Sequence, residues 1–185
     1  MLQHFFAKEI NGEATQGLFD NLAIAKVNNG QMLQEHQGKY PVILMNFKNI
    51  NALNYEGAIE QIRDVISSLY ENHVILLDSS NFTQYEKEDF KNFLHSVDDQ
   101  LFNPEKLQKS LHYLTKLLFK AYGQRVVVLI DEYDTAVNLG YQHDYLEEIS
   151  SFMRGLLGQT LKGNDYLHKA LMTGILRVSQ SEMLS

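Results

Sequence analysis

The sequence predicts an α/β domain with a mainly parallel sheet flanked by helices. Val126–Ile130 is a continuous apolar run without polar alternation, which is typical of a central parallel strand covered on both faces. Segments with helical spacing alternate with short apolar runs along the chain. The length of 185 residues, with 44% hydrophobic and 21% charged residues, indicates one globular domain. In such folds the chemistry lies beyond the carboxyl ends of the strands.

The N-terminal quarter contains one predicted helix and one predicted strand. Leu2, Phe5, Phe6 and Ile10 have helical spacing, although no capping residue precedes them. The apolar segment Pro41–Phe47 predicts a strand, with proline at the first position, where its missing N–H costs least.

The middle of the chain predicts three helices. Apolar residues recur every three or four positions over Ala58–Leu69, as on an amphipathic helix laid over a sheet. Thr83–Glu86 has the form of a capping box, and Asn103-Pro104 supplies an N-cap and a first-turn proline. The helix that follows Pro104 is expected to end at Gly123 and to lead directly into the strand Val126–Ile130.

The last third predicts a helix over Tyr145–Leu157 and a third strand over Ala170–Leu176. Thr173 and Gly174 interrupt that strand. The expected order is therefore helix, strand, two or three helices, strand, helix, strand.

Three carboxylates follow the central strand within four positions: Asp131, Glu132 and Asp134. Because the backbone turns where a strand ends, Asp131 and Glu132 can converge on one pocket. Adjacent aspartate and glutamate suit nucleotide hydrolysis, in which the first orients Mg²⁺ on the phosphates through water and the second polarises the attacking water. The structural alternative is that Asp131 caps the next segment and the other two acids are solvated.

Composition excludes several other classes. The 23 acidic residues outnumber the 16 basic ones and give a net charge of -7, which argues against direct nucleic-acid binding by this segment. The absence of cysteine excludes disulfides, thiolate nucleophiles and cysteine-ligated zinc. No apolar stretch approaches the roughly 20 residues of a membrane span, and no signal-peptide pattern opens the chain, so we expect no membrane partner and a cytoplasmic location.

The combined motifs resemble those of the bacterial AAA-ATPase-like proteins, which are often joined to a C-terminal PD-(D/E)XK nuclease-like domain. The resemblance covers nearly the whole chain. It implies a partial P-loop NTPase-like three-layer sandwich that uses ATP and Mg²⁺. It is carried by Gly38–Ile43, Asn46–Lys48, Val128–Asp134, Phe152–Arg154 and Leu171–Ser179.

The resemblance also implies roles for individual residues. Val126–Ile130 becomes the Walker B strand, with Asp131 as the magnesium-associated, cofactor-binding carboxylate and Glu132 as the base that activates water. Thr173 matches the sensor of the γ-phosphate, and Asp134 supports the cofactor-binding site. Arg177 contacts phosphate in cis or reaches a neighbour as an arginine finger, or alternatively is an exposed or carboxylate-paired arginine.

One departure from the family is a missing phosphate loop. The family carries a glycine-rich loop ending in Gly-Lys-Ser/Thr just before the first helix seen here, and the 185 residues contain no such loop. The loop's backbone amides and lysine would carry most of the phosphate binding. We therefore expect residues 1–185 to form a single partial AAA-ATPase-like domain, truncated at both ends, that does not bind ATP tightly.

The loss of the phosphate-loop strand would leave the last strand as an unpaired edge. Exposed edges favour association, so dimerisation, complementation by the missing segment or poor solubility is expected. A frame-disrupted gene or a partial gene model explains the truncation equally well.

Two further functions stay open. The chain can be a non-catalytic interaction module that binds a protein partner, or a second copy, through its exposed sheet edge or a helical face. It can also be a Mg²⁺-dependent phosphatase of the haloacid-dehalogenase type with Asp131 as nucleophile. In that class the second aspartate comes two residues later, where this chain has Tyr133, and the next aspartate is Asp134.

Overall fold

The computed structural model describes residues 1–10, 12–94 and 103–175. None of the helices in these ranges combines the length and apolar character needed to cross a bilayer. Two short 3-10 segments, Ala23–Gly30 and Val74–Asp78, accompany the regular elements. The described helices are α1 Leu2–Phe6, α2 Gln31–His36, α3 Tyr55–Glu71, α4 Gln84–Leu94, α5 Pro104–Tyr122, α6 Asp134–Gln142 and α7 Leu146–Leu161; the strands are β1 Glu9–Ile10, β2 Glu13–Ala14, β3 Val42–Asn46, β4 Val126–Asp131 and β5 Leu167–Met172.

The main sheet has three parallel strands in the order β3-β4-β5, and β1 pairs with β2 in a separate short antiparallel pair. β4 lies in the centre, and all five of its apolar residues, Val126–Ile130, are buried. The prediction of a central parallel strand from its unbroken apolar run is confirmed. In the described part of the chain, β5 has a strand neighbour only on its β4 side.

The two faces of β4 contribute to two separate apolar clusters. Val126, Val128 and Ile130 face the large core, which is built with α3, α5 and α7. Val127 and Leu129 face a smaller cluster. The predicted fold class, a parallel sheet flanked by helices, is therefore confirmed, with one face covered much more heavily than the other. The smaller cluster contains Ala7, Tyr40 and Val42, with Phe6 and Ile10 packed against it.

β5 contains one extra residue relative to β4. Val126 is opposite Leu167, whereas Val127 is opposite Lys169, so His168 forms a bulge between them. The ring of His168 stacks on Tyr40, with the centroids 4.4 Å apart.

The first helix is shorter than the sequence predicts. It ends at Phe6, and Ile10 lies in β1 rather than on the helix. Ala7 is extended (φ -68°, ψ 141°) and pairs with Tyr40 in a parallel bridge. The Thr15 hydroxyl donates to the Ala7 carbonyl oxygen. These backbone contacts with distant residues override the helical spacing.

The segment between β4 and β5 contains two helices, where the sequence predicted one. α6 was missed because its buried face, formed by Asp134, Ala136, Val137 and Gly140, has no large apolar side chain. At Gly140, near its end, an added Cβ would lie 2.5 Å from Cγ2 of Ile149. Glycine at this position therefore allows α6 and α7 to approach closely.

The last strand is Leu167–Met172 rather than the predicted Ala170–Leu176. Thr173 follows the strand, and its N–H continues the ladder by donating to the Ile130 carbonyl oxygen at 2.8 Å. Leu176, the predicted end, lies outside the described residues.

The predicted helix boundaries in the middle of the chain are confirmed by their caps. The Thr83 hydroxyl accepts from the Glu86 N–H at 3.2 Å, and the Glu86 carboxylate accepts from the Thr83 N–H at 2.9 Å. The Asn103 side chain accepts from the N–H groups of Glu105 and Lys106. Gly123 ends α5 with φ 64°, the left-handed conformation that glycine adopts readily.

Glu86 links this capping box to α5. Its carboxylate lies 2.6 Å from Nζ of Lys120, and the residue is only 8% exposed. Burial raises the pKa of Glu86, but the hydrogen bonds from Lys120 and Thr83 outweigh it and lower this pKa below its ordinary value of 4.5. The carboxylate therefore stabilises the fold above pH 4.5, and that contribution is lost as the pH falls through the lowered pKa.

Glu86→Gln should lower the free energy of unfolding by about 1 to 2 kcal/mol at pH 7, because it removes a charge-assisted hydrogen bond. The loss should shrink as the pH falls below 4.5 and through the lowered pKa of Glu86, where the wild-type carboxylate becomes protonated. Urea unfolding at pH 7 and at a series of pH values below 4.5 measures this dependence. Glu88→Gln, on the exposed side of the same helix, should change stability little at any of these pH values. A pH-independent loss in Glu86→Gln would contradict the assigned linkage.

Candidate functional site

Polar side chains form a row at the carboxyl edge of the sheet. β3 ends at Asn46, β4 ends at Asp131, and Thr173 directly follows β5. Asn46 and Asp131 are Cα partners in the ladder, and Thr173 comes one residue after the pair Ile130 and Met172. The parallel register therefore brings the three side chains to neighbouring positions at one edge.

Asp131 is held from both sides within this row. Its Oδ1 accepts a hydrogen bond from the Thr173 hydroxyl, and its Oδ2 lies 3.4 Å from the donating Nδ2 of Asn46. The two neighbours thus act on different oxygens of one carboxylate, which restricts its rotation. Asp131 itself is half-buried.

Glu132 occupies a turn with left-handed backbone geometry. Its φ is 52°, and its carbonyl oxygen accepts from the Thr135 N–H at 3.0 Å. A side chain in this conformation costs roughly 1–2 kcal/mol relative to the right-handed regions. The turn ends the strand abruptly, places half-buried Glu132 next to Asp131 at the edge, and allows α6 to begin at Asp134.

Asp134 faces the polypeptide rather than the open edge. It is 2% exposed, and its Oδ2 accepts from the Ile175 N–H at 2.9 Å. An added Cβ at Gly174 would lie 2.6 Å from Oδ1 of Asp134. The N–H of Tyr133 donates to the Thr173 carbonyl oxygen at 3.2 Å. Asp134 therefore holds the segment that carries Thr173 against the start of α6.

The structure thus brings together three of the residues singled out from the sequence. Asp131 and Thr173 are hydrogen-bonded, and Glu132 is adjacent to Asp131 in the chain. Asp134 holds the segment that carries Thr173 by accepting the Ile175 N–H. Arg177 lies outside the described residues. Sequence reasoning gave no role to Asn46. The sequence did contain a signal for Asn46: it is the first polar residue after an apolar run, as Asp131 is after the central strand.

The chemistry of this row fits a hydrated magnesium ion carried in with phosphates. Among residues 1–10, 12–94 and 103–175 no group of three or more His, Asp or Glu side chains is arranged to hold a metal. Mg²⁺ commonly keeps several waters and uses one or two carboxylates together with substrate phosphates. A single carboxylate at the edge, Asp131, matches that requirement and not that of a closed protein cage.

A parallel sheet with an aspartate and a glutamate at the tip of its central strand, and a hydrogen-bonded threonine at the next tip, has the architecture of a P-loop NTPase-like domain. The family described as Predicted AAA-ATPase matches residues 1–184, and the chain belongs to this AAA-ATPase-like family. No curated protein and no solved structure matches the chain.

Glu132→Gly should be more stable than Glu132→Ala by about 1 kcal/mol, because glycine adopts a positive φ without the Cβ penalty. Urea unfolding of the two variants measures the difference. The matched pair Glu60→Gly and Glu60→Ala, inside α3, should give the opposite order, since glycine is the poorer helix former by about 1 kcal/mol. The same order at both positions would contradict a strained turn at Glu132.

Gly174→Ala should lower the free energy of unfolding by about 1–3 kcal/mol, because the added methyl group collides with the fixed Asp134 carboxylate. Denaturant unfolding provides the measurement. Gly158→Ala in α7, where nothing lies within 4 Å of an added Cβ, is the control and should be neutral or stabilising. Equal behaviour of the two variants would show that Asp134 yields to the methyl group.

Proposed function

We propose that this chain is the part of an ATP-binding and ATP-hydrolysing AAA-ATPase-like protein that carries the Walker B and sensor elements. Membership of the family supports the ATPase theme. The observation that carries the residue assignments is the hydrogen bond between Thr173 and Asp131 at the carboxyl edge of the parallel sheet. A cytoplasmic location is part of this proposal.

Asp131 and Glu132 have different tasks in this proposal. Bound Mg²⁺ would neutralise phosphate charge, and Asp131 would hold its water shell. Glu132 would accept a proton from the attacking water as a general base. The left-handed turn at Glu132 supports this division, because it changes the chain direction between the two carboxylates.

Thr173 would couple the nucleotide to Asp131. Its hydroxyl has a single proton, which is directed at Oδ1 of Asp131. If the hydroxyl donates to a γ-phosphate oxygen instead, its hydrogen bond to Asp131 must break. The exchange of partners would make the orientation of the carboxylate depend on whether the phosphate is present.

The 185 residues alone are poorly equipped to bind phosphate. No Gly-Lys-Ser/Thr loop occurs among them, and the edge contributes carboxylates to a negatively charged ligand. We therefore propose that the chain binds Mg-ATP weakly by itself and needs a phosphate-binding segment from elsewhere for hydrolysis.

The experiment begins with the genomic DNA upstream of codon 1. If an in-frame Gly-Lys-Ser/Thr codon run is present, the longer protein should hydrolyse ATP with Mg²⁺. Glu132→Gln should lower kcat at least about 100-fold while nucleotide stays bound, because only the base is removed. Phosphate release and equilibrium nucleotide binding are the measurements.

Glu147→Gln, an exposed acid at the start of α7, is the matched control and should hydrolyse like wild type. Normal hydrolysis by Glu132→Gln would show that Glu132 is not the base. The 185-residue chain should show no increase in Tm with Mg-ATP, and a clear increase would contradict weak binding.

The second candidate is a non-catalytic interaction module. The observation that favours it is apolar exposure on the less covered face of the sheet. Leu44 of β3 and Leu171 of β5 are the Cα partners of Leu129 on either side and are 38% and 45% exposed. An interaction module should self-associate or bind a protein and show no response to Mg-ATP in the longer protein either. Light scattering and the nucleotide titration above distinguish the two.

The phosphatase alternative has less support. The buried Asp134 carboxylate accepts a backbone N–H from Ile175, so it faces away from a substrate on Asp131. Incubation with a generic phosphomonoester and Mg²⁺ tests this alternative, and turnover abolished by Asp131→Asn would revive it.

A further inference from the structure

We propose that Asn46 is a positioning residue of the site, whose carboxamide fixes the orientation of the Asp131 carboxylate. The inference rests on the proposed function, in which Asp131 is the magnesium-associated group. Asn46 lies on a different strand from Asp131 and from Thr173, so the role is additional to those assigned above.

The orientation of the Asn46 side chain is set by the turn that follows β3. Its Oδ1 accepts the Lys48 N–H at 2.8 Å. An amide side chain has one acceptor end and one donor end. Because the acceptor end is used by Lys48, the donor end is directed toward Oδ2 of Asp131, at 3.4 Å.

The backbone keeps the two residues at this separation. Asn46 and Asp131 are Cα partners in the parallel ladder. The pairing continues one residue further, since the Phe47 N–H donates to the Asp131 carbonyl oxygen at 3.1 Å. Phe47 is completely buried in the large core, which anchors this end of β3. The Asn46 amide is therefore presented from a rigid element.

Asn46 and Thr173 together fix the carboxylate of Asp131. Each donates to a different oxygen, from strands on opposite sides of β4. A carboxylate with donors on both oxygens is held in one χ1 rotamer with a defined plane, whereas one with a single donor exchanges between rotamers. Hydrogen bonds from neighbouring groups orient metal-binding carboxylates in this way, and their loss typically weakens metal affinity about 10- to 100-fold.

A purely structural role for Asn46 would be to close the turn with Lys48. The two roles use opposite ends of the amide, so one substitution separates them. Asn46→Asp keeps an acceptor for the Lys48 N–H but replaces the donor with an oxygen that repels Asp131. Asn46→Ala removes both ends. Asn49, exposed in the same turn, provides the controls Asn49→Ala and Asn49→Asp.

The first measurement uses the 185-residue chain without metal. Three-bond NMR couplings from the backbone N and carbonyl carbon to Cγ of Asp131 report its χ1 rotamer. We expect one rotamer in wild type and both Asn49 variants, and averaged couplings in Asn46→Ala and Asn46→Asp. Protection of the Lys48 N–H from solvent exchange should persist in Asn46→Asp, which shows that the turn is intact. Wild-type couplings in Asn46→Asp would overturn the proposal.

The second measurement is a titration of the same variants with Mn²⁺ alone, in which free Mn²⁺ is quantified by electron paramagnetic resonance. Asn46→Ala should weaken Mn²⁺ binding about tenfold, Asn49→Ala should leave it unchanged, and Asp131→Asn should abolish it. Unchanged binding in Asp131→Asn would refute the metal role of Asp131 and hence the proposed function, whereas no binding in wild type would show that the ion is held only together with phosphates. The rotamer measurement would still decide whether Asn46 positions Asp131.

Discussion

The complete burial of β4 is the constraint on which the rest of the structure depends. With apolar side chains on both faces, its backbone polar groups can be satisfied only by the neighbouring strands. The hydrogen bonds from Val126 to the Tyr166 carbonyl and from Val127 to the Pro41 carbonyl begin this ladder on each side. The same ladder fixes the position of Asp131 at the far end. The site is thus a consequence of strand pairing, and not of a separate loop architecture.

Features with a local cause could be predicted from the sequence. Asn103 caps α5 through N–H groups two and three residues away, and the Thr83–Glu86 box closes within one turn. The central strand is recognisable because burial on both faces leaves no polar position in Val126–Ile130. Asp131 and Glu132 were identified for the same reason, since they follow that strand directly.

Features that depend on distant partners could not be predicted. The end of α1 at Ala7 depends on Tyr40, and the burial of Asp134 depends on a backbone N–H that comes 41 residues later. Asn46 and Asp131 are 85 residues apart, and neither residue alone indicates the other. Local periodicity contains no information about such pairings, because they are set by the register between strands.

The bulge at His168 determines which deletions in β5 the fold can tolerate. Side chains alternate along a strand, so the number of residues between the bulge and the strand tip sets the parity of every position after it. If the same residues paired without a bulge, Met172 would lie opposite Asp131 and Thr173 would follow one position beyond it. Deletion of His168 would remove the bulge and leave Lys169–Met172 opposite the same residues of β4. Removal of both His168 and Lys169 would instead place Thr173 opposite Ile130, on the other face of the sheet. The bulge therefore allows the loss of one residue from this stretch but not of two.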